Sequence, residues 1–521
     1  MIINRNLISL IHTSALLAFL LAGCNSAKEQ PIQAEAFLWE DQTATYLPLT
    51  AEWTNRVEVS DINGDGMPDL LFANGGDYSK PGNAEPARVF INQGPDKLFL
   101  EDSTLFGGRT FYARIIKVID INADALPDII IGNTYQTQSE LYLGLGEGKF
   151  ERVTESHFPQ GNASIGDLEI GDVNGDGFLD IALADWGAGD ALLNAGGKIK
   201  LWLNDGTGHF SDVTDSDMPD LLVEFSWDIE FFDYDNDFNL DLLVSCKRCG
   251  TSKMYVNDGT GKFAYKRLLP AYTNNYDFEM MDVNKDGFLD LITINDGEIV
   301  DGISWSRREH IFINDSAKRF LDQTHALWPD TENIGADDNN NVFLDYDSDG
   351  DADFITSSLT GLERLSINDG AGNFTLKQPI LSGPETPLTL SLVIADLNGD
   401  HKPDIVMGQG EGEEGIEERI YIGTNVQPDT AAPEITHISY SVDSISSTVI
   451  IKARIHDRKS PSVAGDWQEV SLLDADSNVI TSMQWYGEYL WSAKITEAQL
   501  ASAGIRAIDA AGNTALRKIV E

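Results

Sequence analysis

The sequence predicts an all-β chain: a closed ring of seven four-stranded units, followed by a small β-sandwich. Three observations predict it. A nonapeptide D-x-[DN]-x-D-x-x-x-D occurs seven times, its first aspartates at 61, 120, 172, 233, 282, 345 and 396. Short apolar and β-branched runs flank each copy, V-E-V-S before the first and L-L-F-A after it. A turn of the type N-D-G-x-G-x-F then recurs, as in L-W-L-N-D-G-T-G-H-F and M-Y-V-N-D-G-T-G-K-F. A period of roughly 50–60 residues holding several short strands marks a propeller blade.

Within each unit the order is constant. An alternating strand enters the nonapeptide and a buried-looking strand leaves it, as W-D-I-E-F-F and L-D-L-L-V-S do around Asp233. A third strand ends in the Asn-Asp-Gly turn, which tolerates positive φ, and a fourth starts at the closing Phe. The seventh unit stops after I-Y-I-G (420–423) without a fourth strand. Residues 36–43, A-F-L-W-E-D-Q-T, resemble the fourth-strand sequences H-F-S-D-V-T and R-F-L-D-Q-T. Residues 36–48 are therefore expected to complete the last blade, so that the ring has no free edge.

The nonapeptides carry the chemistry. Positions 1, 3, 5 and 9 offer only hard oxygen donors: Asp61, Asn63, Asp65 and Asp69; Asp120, Asn122, Asp124 and Asp128; Asp172, Asn174, Asp176 and Asp180. The later copies offer Asp233, Asp235, Asp237 and Asp241; Asp282, Asn284, Asp286 and Asp290; Asp345, Asp347, Asp349 and Asp353; Asp396, Asn398, Asp400 and Asp404. Oxygen-only sets on alternate positions of a tight loop suit Ca²⁺ rather than zinc or copper. An EF-hand would need Glu at position 12 between two helices, whereas position 12 is Phe72 or Leu183 in a β-rich run. The unit is strand, calcium loop, strand. Its expected role is to fix two strands.

The nonapeptide together with the following hairpin resembles the FG-GAP/VCBS repeat family, over residues 36–425. The resemblance implies a seven-bladed β-propeller with up to seven Ca²⁺ in the loops joining the first two strands of each blade. The family pattern has glycine at position 6, where Ala125, Phe238 and His401 stand instead. A non-glycine there must adopt or avoid positive φ at some cost, so blades 2, 4 and 7 should bind more weakly.

The ends of the chain carry other signals. Residues 1–23 read as a secretory signal, with Arg5 ahead of an apolar run from Leu7 to Ala22. L-A-G-C, ending at Cys24, resembles a bacterial lipobox, which implies lipidation of Cys24 and, with Asn25 following, favours the outer membrane of a cell envelope. Residues 24–35 read as a tether and 426–432 as a linker. Residues 433–521 read as a separate β-sandwich, whose R-A-I-D-A-A-G-N-T-A is similar to the closing strands of bacterial immunoglobulin-like surface domains. Cys246 and Cys249, in S-C-K-R-C-G, are expected to form a small loop disulfide.

Net charge is −48, from 84 acidic against 36 basic residues. That excludes nucleic acid and electrostatic adhesion to anionic lipid, leaving the anchor as the only membrane contact. Long loops in blades 1, 3 and 5 should gather on the face opposite the calcium loops. They carry Tyr78, Trp186 and Trp305 with Arg307 and Arg308, and loops between blades add Tyr112, Trp227 and Tyr276. Such aromatics beside carboxylates and amides suit a sugar or peptide, or else they pack the loops themselves. Glu58, Glu169, Glu230 and Glu279, with Asp167, Asp228 and Asp277, should line the channel, either as a water-filled wall or as a site for a cationic group. A lipid-anchored, calcium-stabilised, non-catalytic binding or adhesion scaffold for a protein or glycan is the reading these features favour. A polysaccharide lyase or hydrolase, or a structural partner in an envelope assembly, is the alternative. No nucleophile motif appears, and the histidines (His157, His209, His310, His325) are scattered.

Overall fold

The computed structural model describes residues 36–270, 275–295, 299–300, 303–304, 309–360, 362–386, 388–410, 417–443, 447–461 and 466–520. The lipobox cysteine, Cys24, lies outside them, as do Trp305, Arg307 and Arg308; Tyr276 is placed in a strand, but its side chain is not among those described.

Among the described residues, seven four-stranded antiparallel sheets follow one another. Their first strands are Thr54–Ser60, Ala113–Ile119, Ile165–Gly171, Ile229–Phe232, Asn275–Met281, Asp338–Leu344 and Thr389–Ala395. Each of these touches the first strand of the next sheet, and Thr389–Ala395 touches Thr54–Ser60. Seven sheets therefore close a ring, which is the arrangement of a β-propeller. Every second strand begins at position 9 of a nonapeptide, from Asp69–Asn74 to Asp404–Gln409, and is buried almost throughout, which accounts for the continuous apolar runs there.

Closure comes from both ends of the ring. Trp39–Asp41 pairs with Arg419–Gly423 in the register Trp39 to Gly423, as the outer strand of the seventh sheet. Trp39 is fully buried and its indole N–H donates to Pro403 O at 2.6 Å. At the inner side, Thr54 Oγ1 donates to Glu418 Oε1 at 2.6 Å, joining sheets one and seven.

Two further four-stranded sheets lie in residues 434–518 and share one core, including Val449, Ile451, Leu472 and Ile505. The sandwich packs against the ring. Arg454, 1% exposed, donates to Asp233 O at 3.0 Å and Gly287 O at 3.2 Å. Tyr486 OH donates to Phe238 O, Tyr489 OH to Met280 O, and the Asp172 N–H to Tyr486 O. The sandwich thus seats on the nonapeptide ends of sheets three to six. Nothing in the alternation of its strands announces this, because the contacts run through a few long side chains and one backbone bond.

Truncating Trp39 removes a large buried ring and a hydrogen bond at the seam. Trp39→Ala should cost about 3–5 kcal/mol in denaturant unfolding; an unchanged midpoint would mean that the terminal strand does not hold the ring.

Candidate metal loops and binding face

In each nonapeptide, position 1 works as a cap. Asp61 accepts from the N–H groups of Gly64, Asp65 and Gly66, and Asp172 repeats the pattern with Gly175, Asp176 and Gly177. That geometry needs left-handed backbone at positions 4 and 6. Ala125, Phe238 and His401 at position 6 do adopt it, with φ of 69°, 65° and 61°. So do Ala123, Asn236, Lys285 and Ser348 at position 4, a strain not foreseen from the sequence. Phe238 is also 7% exposed and packs into the core of sheets three and four, so burial offsets its strain.

Position 9 is a hub. Asp69 is fully buried; its Oδ2 accepts the Ile62 N–H and its Oδ1 the Asn92 N–H at 2.8 Å. Asp180 does the same with Val173 and Asn204. The asparagine of the turn then reaches back with its side chain to the preceding sheet: Asn204 Nδ2 donates to Ile121 O, Asn257 to Val173 O, Asn314 to Tyr234 O and Asn368 to Val283 O. Asn92 donates to Leu397 O across the seam. Sequence reading gave this asparagine a turn role only; its recurrence at the end of the third strand in five of the sheets was the available signal.

Two loops concentrate carboxylates. One oxygen from each of Asp233, Asp235 and Asp241 lies within 4.8 Å of the others, and likewise for Asp345, Asp347 and Asp353; either group could hold a metal ion. Asp235 Oδ1, Asp241 Oδ2 and Asp347 Oδ1 are buried with no hydrogen-bond partner among the described residues. Orphaned oxygens of this kind fit a hard cation. The other five loops have Asn at position 3 and so offer three carboxylates spread over positions 1, 5 and 9. Burial, with neighbouring aspartates, raises the position-9 carboxyls: Asp69 and Asp404 to about 7, Asp180 and Asp353 to about 8, Asp241 to about 9.

On the opposite face Trp186 and Trp227, candidates either for a ligand platform or for loop packing, are 1% and 4% exposed. They stack at 5.7 Å, with Arg114 3.7 Å above the Trp227 ring and Phe225 edge-on to both. Trp186 N–H donates to Ser226 O, and Gly166 leaves room for the indole, since a Cβ there would lie 1.9 Å from Nε1. These rings pack the loops. Tyr78, Tyr112 and Tyr135 are half-buried at the rim, while Leu193 and Leu222 stand out at 81% and 48% exposure. Cys246 and Cys249 are joined by a disulfide.

The channel also differs from a simple acidic ring. Asp167, Asp228 and Asp277 each accept a backbone N–H from the next sheet, Ile229, Phe278 and Asn341 in turn. Asn340 and Ser391 continue the series with Leu392 and Val57. The channel supplies its own cations. Lys117 pairs with Glu169 at 2.7 Å, and Arg56 lies 3.5 Å from Asp228 and 3.7 Å from Asp167. Burial disfavours the Lys117 charge, but Glu169, Glu230 and Glu58 outweigh it and its pKa rises. Burial lifts Glu58 to about 7 and Glu279 to about 8. A cavity of about 210 Å³ remains, lined on the sandwich side by Ser460, Trp485 and Glu488.

Buried acids outside the channel were missed altogether. Glu309 and Asp338 are 1% and 0% exposed, with Arg364 on Asp338; burial and then Asp338 push the Glu309 carboxyl well up. Glu418, lifted to about 8 by burial, bonds Thr54 and the Gln409 N–H. Glu309 and Glu418 directly precede the third strands His310–Asn314 and Arg419–Gly423, whereas Asp338 opens the first strand of sheet six.

An FG-GAP-like repeat model matches residues 61–131, 120–183, 187–244 and 345–407. The chain carries FG-GAP-like repeats. Comparison with curated proteins yields no match. Among solved structures, the chain is similar to a lectin of Agrocybe aegerita described as recognising non-reducing terminal N-acetylglucosamine (18% identity, 63% of this chain and 80% of that one, TM-score 0.44). It is also similar to the V. cholerae biofilm matrix protein Bap1 (12%, 90% and 73%, TM-score 0.33) and to a structure described as the Dos1 propeller (9%, 80% and 93%, TM-score 0.37). At these scores none of the three bears on what this chain binds.

The raised position-9 carboxyls set a pH dependence. Their folded values lie above the ordinary 3.8, so the folded state holds more protons than the unfolded one, and stability falls as pH rises from about 4 to about 8. In chelator the melting temperature should therefore drop between pH 5 and pH 8, and added Ca²⁺ should suppress the drop. A melting temperature in chelator that rises over that range contradicts the assignment.

Proposed function

We propose that the chain is a lipid-anchored, calcium-stabilised scaffold that binds a protein or glycan without catalysis, through the face remote from the calcium loops. In this reading the seven sheets are the blades of one propeller and each nonapeptide holds Ca²⁺ with its position 1, 3, 5 and 9 oxygens. The strained, exposed position-6 residues Ala125 and His401 make loops two and seven the weakest. The sandwich is immunoglobulin-like, and Cys24 tethers the whole to the outer membrane of a bacterial envelope.

The observation that carries the binding face is the seating of the sandwich. It covers the nonapeptide ends of sheets three to six, so the long loops form the face left to a partner. There Leu193, Leu222 and the half-buried tyrosines stand beside Asp77 and Asp190, on a base made rigid by the Trp186–Trp227–Arg114 stack. Rigid aromatic and apolar anchors framed by polar groups suit recognition. The buried acids Glu309, Asp338 and Glu418 are spent on bonds between strands.

Elemental analysis of the purified chain should find several Ca²⁺ per chain, and chelation should lower its melting temperature; a calcium-free chain that melts identically in chelator would sink the loop assignment. Binding to arrayed envelope polysaccharides and to isolated envelope proteins should weaken at least about tenfold, a loss of about 1.4 kcal/mol, in Leu193→Asp and Tyr112→Ser. Unchanged capture argues against this face, and measured cleavage of a polysaccharide would make the chain an enzyme instead.

A further inference from the structure

A third carboxylate cluster lies outside every nonapeptide. Asp429 is in the linker, Asp457 follows the sandwich strand Thr448–His456, and Asp509 ends the strand Gly504–Asp509 of the other sandwich sheet. One carboxylate oxygen from each lies within 4.8 Å of the other two. Three separate segments thus bring like charges to one point, and such an arrangement is unfavourable unless something neutralises it.

The local cations are shared between this cluster and other acids. Arg458 reaches Asp457 at 3.4 Å, but it also serves Asp345 and Glu434 at 3.5 Å and donates to Ala432 O at 2.8 Å. Lys459 is held by Asp466 at 2.6 Å. Asp509 makes the case sharper. It is fully buried; its Oδ1 accepts the Asn513 N–H at 2.8 Å, and its Oδ2 finds no hydrogen-bond partner among the described residues. A buried carboxylate oxygen without a donor costs free energy that a cation would recover.

We propose that Asp429, Asp457 and Asp509 form a further site for a hard divalent cation, Ca²⁺, that ties the linker to both sheets of the sandwich. The donors are all oxygen, as such an ion requires. Its position gives it a mechanical role. The Asp429 N–H donates to His401 O at 2.7 Å in the seventh loop, and the Thr430 N–H to Ser348 Oγ at 2.8 Å in the sixth. An ion here would fasten the sandwich where the chain leaves the ring. The site shares no residue with the nonapeptides, so it stands or falls separately from the calcium assigned to them.

Native mass spectrometry of the full chain across a Ca²⁺ titration tests it. At a concentration that saturates the wild type, Asp429→Ala and Asp509→Asn should each hold one Ca²⁺ fewer. Asp429 is half-exposed in the linker, so Asp429→Ala decides the matter if Asp509→Asn fails to fold. An ion count equal to wild type in the folded variants would overturn the proposal and leave the cluster neutralised by protons. Loss of calcium from the nonapeptide loops alone, seen as the same one-ion difference between wild type and variant at a lower total, would leave this site standing.

Discussion

The ring depends on one buried carboxylate used seven times. The aspartate at position 9 sits where the second strand begins, and in sheets one and three its two oxygens accept one N–H from the loop and one from the end of the third strand. That fixes the loop, the second strand and the third strand with a single side chain. The turn asparagine whose N–H it takes then spends its own amide on the preceding sheet, so Asn204 and Asn257 carry the constraint from blade to blade. Each oxygen has a second lone pair, so a cation can share the same group without breaking these bonds.

A second series runs around the channel at the first strands, where Asp167, Asp228, Asp277, Asn340 and Ser391 each hold the backbone of the next sheet. The first series lacks its asparagine in sheets two and seven, where Gly144 and Gly423 take the position-9 bond, and the second spans the five junctions from sheet three round to sheet one. This helps explain the dense burial of carboxylates at the axis: Asp167, Asp228 and Asp277 have backbone donors, Arg56 lies beside the first two, Lys117 pairs with Glu169, and Ser460 donates to Glu279. Acidity there is a by-product of joining sheets.

The periodic part of this was legible in the sequence. Seven nonapeptides at a steady interval, each between apolar runs, imposed the number of sheets, and the likeness of A-F-L-W-E-D-Q-T to other fourth strands pointed to the seam where Trp39 now lies. What was not legible depends on neighbours distant in the chain. Trp186 and Trp227 look alike whether they face solvent or each other, and only the approach of Arg114 and Gly166 decides it. The roles of Asp167 and Asn204 are invisible because their partners lie 62 and 83 residues away. Phe238 reads as a faulty glycine until its carbonyl is seen receiving Tyr486 and Lys452 from the sandwich.

That last contact has a consequence for how the molecule can work. Arg454 and Arg458 bring positive charge to within 3.5 Å of Asp233 and Asp345, which are themselves first positions of candidate metal loops. A cation in those loops and an arginine beside them compete for the same carboxylate charge, yet both can be held if each uses different lone pairs of the aspartates. Loading the loops therefore weakens the ionic part of the sandwich contact while stiffening the backbone carbonyls, Asp233 O and Gly287 O, that Arg454 also uses. Because neutral acceptors carry much of the docking, the sandwich can stay seated with the loops filled or empty. A cap held in this way keeps the same face exposed in both states, so the recognition proposed for the long loops would rest on the ring's rigidity rather than on a switch between two arrangements.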